Sequence, residues 1–90
     1  MRVSNPLFAA FCLARASATG PRIGITTPKA LGGAVIRNRL KRRFREAFRL
    51  HRAKLGAGWD VVVNPRRAAI GASFAEIERA LMKVMEKCGH

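Results

Sequence analysis

Acidic residues are scarce in this chain of 90 residues: five Asp and Glu stand against eighteen Lys and Arg, for a net charge of +13. Self-repulsion at that density opposes a compact state, and a polyanionic partner is the natural way to relieve it. The same scarcity argues against a metal-dependent nuclease made of protein. Such chemistry needs clustered carboxylates to hold its ions, and Glu46, Asp60, Glu76, Glu78 and Glu86 are scattered. Tyrosine is absent, tryptophan occurs once and cysteine twice. Cys12 and Cys88 cannot build a disulfide scaffold and fit no Cys/His metal spacing. They are expected to be small buried hydrophobes in a reducing cytoplasm. No apolar run approaches the roughly 20 residues of a membrane span, so no membrane partner is expected. His51 stands alone, and Ser4, Ser17 and Ser73 have no His and Asp companions. No catalytic constellation can be assembled.

What is present reads as one small domain over residues 1–90, since 49% of the residues are apolar and the length allows no second core. The start is ambiguous. Arg2, an apolar stretch from Leu7 to Ala14 and small-x-small triplets up to Ala18 resemble a secretory signal. The competing reading makes Leu7 to Arg15 a buried strand, ended by a loop over Ala16 to Pro21. Arg22 to Thr27 alternates and is β-branched, and the two runs lie close enough for an antiparallel hairpin. Leu7, Ala9, Phe11 and Leu13 would share one face of the first strand, and Phe8, Ala10, Cys12 and Ala14 the other.

Gly32-Gly33 precedes a helix expected over Ala34 to Leu55, ended by Gly56 and Gly58. At 100° per residue, Ile36, Leu40, Phe44, Ala47 and Phe48 form an apolar stripe. Asn38, Arg42, Arg45 and Arg49 fall on the opposite face, flanked by Arg39, Lys41 and Arg52. Trp59 to Asn64 holds a continuous Val run suited to a central strand. Ser73-Phe74-Ala75-Glu76 is a capping box that opens a last helix, Phe74 to about Lys87.

The window from Arg37 to Lys54 holds nine of the eighteen cations, with Glu46 as its only acid. Pairing of Glu46 with Arg42, Arg43 or Arg49 leaves most of the run unneutralised. Like charges three and four apart oppose the helix by a few tenths of a kcal/mol each, so this face is expected to meet phosphate. No second recognition helix, zinc finger or zipper is present. A small sheet with an aromatic beside a cationic helix suits single-stranded nucleic acid. Phe11 is then either a stacking residue or simply core.

The stretch Arg22-Ile23-Gly24-Ile25, then Lys29, then Gly32-Gly33-Ala34-Val35-Ile36-Arg37-Asn38-Arg39-Leu40-Lys41-Arg42-Arg43-Phe44-Arg45-Glu46-Ala47-Phe48-Arg49 closely resembles the bacterial ribonuclease P protein subunit. The Arg37-Asn38-Arg39 core is that family's hallmark, and the resemblance runs over residues 2 to 88. It implies an α+β fold: a small sheet, a cationic helix in an unusual left-handed β-α-β crossover, and a C-terminal helix. It implies a cytoplasmic holoenzyme in which a large RNA cuts precursor tRNA at its 5′ end. Magnesium would be held mainly by that RNA, and the protein would bind the ribonuclease P RNA and the 5′ leader. No obligate protein partner is implied. Lys29, Arg37, Asn38, Arg39, Lys41, Arg42 and Arg45 match positions that face RNA, and Arg49 joins them by its place on the helix. Ala9 and Phe11 match a wall of the leader cleft.

The match has departures. Family members usually begin with a helix whose aromatics form the opposite wall of that cleft, whereas this sequence begins at the first strand: either its start is misplaced or trimmed, or this member grips the leader weakly. Ala30 stands where a second Lys is usual, and Gly33 and Phe44 replace Asn and a smaller aliphatic. The alternative reading is a small structural RNA-binding protein of ribosomal or nucleoid type, and a remote one is a secreted cationic peptide.

Overall fold

The computed structural model describes residues 1–14, 21–54 and 58–88. The expected loop over 16–20, the cleavage-like site at Ala18, and Leu55 and Gly56 lie outside them. Four strands and two long helices follow in the order β1 (Arg2–Ser4), β2 (Phe8–Ala14), β3 (Arg22–Ile25), α1 (Ala34–His51), β4 (Trp59–Pro65) and α2 (Phe74–Cys88). This is the α+β class that the sequence implies.

The sheet order is β1-β2-β4-β3. The expected hairpin of β2 with β3 therefore does not form: β4 lies between them, antiparallel to β2 and parallel to β3. Burial explains the choice. Val61 and Val63 are fully buried, and a strand that apolar needs neighbours on both edges. The apolar run from Leu7 is a strand, as the second reading of the N-terminal segment has it. It gains a short partner, β1, that the sequence pattern did not reveal.

Both helices pack on one face of the sheet. On β2 that face carries Phe8, Ala10 and Cys12, each 2% exposed or less. Leu40, Phe44, Ala47 and Phe48 of α1 meet Ile77, Leu81, Val84 and Met85 of α2 in the same core. Phe44 stands edge-on to Phe8, with ring centroids 5.3 Å apart and planes at 88°, an arrangement worth about 0.5–1.5 kcal/mol beyond burial. The helical boundaries are physical. Gly32 has φ +140°, and a side chain there would meet Ile36 at 3.0 Å, so glycine is required where the chain turns into α1. After His51 the helix tightens into a 3-10 turn, Arg52–Lys54, rather than continuing as α-helix. The capping box forms at α2: the Glu76 amide donates to Ser73 Oγ, and the Ser73 amide donates back to the Glu76 carboxylate, both at 3.2 Å.

The cysteines correct one expectation. Cys12 and Cys88 are buried, as small hydrophobes would be, but they are joined to one another. Their Cα atoms are 5.9 Å apart, and the bond ties β2 to the last residue of α2 across 76 positions of sequence. A Cα separation near 5.5–6 Å is the commonest for a disulfide. No helix among the described residues is long and apolar enough to cross a membrane.

Candidate nucleic-acid interface

The outward face of α1 gathers most of the predicted residues. Asn38, Lys41, Arg42, Arg45 and Arg49 line one shallow groove of about 410 Å³, with Glu46 at its edge. The cause is helical spacing: these positions recur at three and four, so they stack along one side while Leu40, Phe44 and Phe48 hold the other side in the core. Asn38, Arg42, Arg45 and Arg49 are exposed, and Lys41 is half-buried. Donors outnumber acceptors heavily there, which suits a chain of phosphates.

Not every cation of the run is unengaged or faces that groove. Arg49 is committed to Glu46, with Nε donating to the carboxylate at 3.1 Å. That hydrogen bond holds the Glu46 carboxyl below its ordinary range and raises the Arg49 guanidinium above its own. Arg43 turns away, and its Nη1 donates to the Ala72 carbonyl at 3.1 Å, tying α1 to the loop before α2. Arg39 is exposed outside the groove. Arg37 is half-buried, and its Nε is enclosed without a hydrogen-bond partner. A buried donor in that state costs about 1–3 kcal/mol. Lys29 is exposed on a 3-10 turn, Lys29–Leu31, just before α1. Arg67 pins that turn by donating to the Ala30 carbonyl at 3.1 Å.

Phe11 and Ala9 lie on the sheet face away from the helices. Phe11 is half-buried and outside the core, and the Arg2 guanidinium stands 5.9 Å from its ring centre. Its register partner is Arg2 itself, so the pair shares a face. Sequence reasoning missed Arg2 because the strand that carries it is only three residues long. Ala9, on the same face, is 7% exposed and offers little surface. His51 is a structural link, its Nε2 lying 2.9 Å from Glu78 of α2. Among the described residues no group of three His, Cys, Asp or Glu is placed to hold a metal ion.

Comparison with known proteins gives a consistent result. The ribonuclease P family model matches residues 1–89. The ribonuclease P protein component of Desulfosudis oleivorans is 48% identical over 66 residues, which cover 73% of this chain and 54% of that protein. The one from Exiguobacterium sibiricum is 36% identical over 87 residues, covering 97% and 75%. The chain thus spans about half to three-quarters of the length of these relatives. Among solved structures, the ribonuclease P protein of Thermotoga maritima superposes with a TM-score of 0.87 at 26% identity, covering 97% of this chain and 82% of that one. The Staphylococcus aureus protein gives 0.81 at 30% identity, covering 97% and 78%. With the family model matching residues 1–89 and the fold shared over 97% of this chain, this chain belongs to the ribonuclease P protein family.

Proposed function

We propose that this protein is the protein subunit of ribonuclease P, binding the catalytic RNA and the 5′ leader of precursor tRNA in the cytoplasm. The observation that carries the reading is the groove on α1, where Asn38, Lys41, Arg42 and Arg45 converge within the family's motif. On this reading α1 with Lys29, Arg37, Asn38, Arg39, Lys41, Arg42 and Arg45 meets phosphate and base edges near the cleavage site, and Arg49 lies on the same RNA-facing surface, held by Glu46. Phe11 offers a ring to a leader base on the open face of the sheet, with Ala9 beside it. Magnesium is held mainly by RNA, and the protein lowers the concentration needed by screening phosphate repulsion.

The test is reconstitution with ribonuclease P RNA from the same genome and a precursor tRNA at low magnesium. The protein should restore 5′ cleavage that the RNA alone performs poorly, while RNA-free protein should cut nothing. If it binds RNA but leaves cleavage unchanged, the alternative of a structural RNA-binding protein replaces this reading.

A further inference from the structure

A second groove, also about 410 Å³, runs between β1 and α2. It lies at the opposite edge of the sheet from β3, against which α1 packs. Its apolar floor includes Val3, Leu7 and Val84, and its rim carries Arg79, Lys83 and Lys87. These three cations are exposed and spaced four apart, so they form one ridge about 12 Å long. One acid, Glu76, also lines the groove, beside Arg79, where its carboxylate is engaged by the Ser73 cap, and Glu78 faces His51 instead. Arg66 reaches the same margin, where its Nη1 donates to the Asn5 carbonyl at 3.0 Å.

An apolar floor under a line of cations matches a strand of nucleotides, whose bases seek a dry surface and whose phosphates seek charge. We propose that the groove between β1 and α2 is a second RNA-contact surface, taking a single-stranded RNA segment with phosphates along Arg79, Lys83 and Lys87 and a base against Val3 and Leu7. This rests on the RNA-binding reading and adds to it: an RNA on α1 must continue around the molecule, or a second segment must reach it.

The experiment uses the whole protein and an oligouridylate carrying photoreactive 4-thiouridine, with crosslinks mapped to peptides. Crosslinks are expected both in α1 and in the segments 3–7 and 79–87. The double change Lys83→Glu with Lys87→Glu should abolish the second set, keep the first, and lower the salt slope by about 1.4, at roughly 0.7 per contact on single strands. Circular dichroism should stay unchanged, since both side chains are exposed. Crosslinks confined to α1, with affinity indifferent to the double change, would overturn the proposal and leave the α1 reading standing. Displacement of the oligouridylate from α2 by polyglutamate at lower concentration than by competing RNA would overturn it in favour of an acidic protein partner. Absence of any binding would overturn the RNA-binding reading, and this proposal with it.

Discussion

The two helices of this fold have similar inner faces and opposite policies on their outer ones. Both bury an apolar stripe against the same side of the sheet. Over its whole length α1 carries seven Lys and Arg against one acid, most of them on the outer face, whereas α2 carries three of each sign. Packing requires nothing of an outer face, so an arrangement that opposes its own helix reports a ligand rather than the fold. The charge of α2 is balanced in number but sorted in space. Of its acids, Glu76 serves a cap and Glu78 a link to α1, while Arg79, Lys83 and Lys87 stand together on one ridge.

The largest expected effect tests whether the inner faces are equivalent. Phe44→Ala removes a fully buried ring that meets Phe8, and should cost about 3–5 kcal/mol in a denaturant titration. A loss below 1 kcal/mol would mean α1 is held mainly by something other than its stripe. Next, only α2 is covalently tied to the sheet. Closing a loop of this length is worth up to about 4 kcal/mol, so reducing Cys12–Cys88, or changing Cys88→Ser, should lower the melting temperature. Identical melts with and without reductant would show that the cysteines are free thiols. Phe11→Ala should lower leader affinity by roughly 1–3 kcal/mol, as expected for a stacked base, with the melt nearly unchanged because Phe11 lies outside the core. A large melting loss with affinity intact would make it a packing residue instead.

The smallest effect concerns the one acid on α1. Its carboxyl is held below the ordinary range by Arg49, so the pair persists at neutral pH. It breaks only as the pH falls through that lowered value, and any stability from it is present above the unfolded value and lost on acidification. Because both groups are exposed, this contributes little to folding. Its consequence is for binding: Glu46→Gln should free Arg49 and steepen the salt dependence of RNA binding by up to about one unit. No steepening would show that Arg49 already meets phosphate with Glu46 in place.

The helices were legible because each repeats its apolar residues at helical spacing and α2 opens on a capping box. The central place of β4 was legible from its Val run. The pairing of the strands was not. Nearness in sequence favours β2 with β3, but the burial of Val61 and Val63 needs neighbours on both sides of β4, and that is a property of the assembled sheet. A three-residue strand such as β1 is too short to carry a pattern. The α1 face was legible as a whole but not residue by residue. Arg43 sits near the boundary of the two faces, and only the Ala72 carbonyl across the α1–α2 junction decides where it goes. The link between Cys12 and Cys88 likewise arises from the docking of α2 on β2, with no local signal in either segment.

The central claim is that the outer face of α1 contacts phosphate. Its most direct test is the salt dependence of binding to ribonuclease P RNA for the wild type and for Arg42→Ala with Arg45→Ala. Both side chains are exposed and neither supports the core, so the fold should be unaffected. The account predicts weaker binding and a slope of log K against log salt that flattens by about two units, one for each lost contact. An unchanged slope would contradict it and make the face merely solvated.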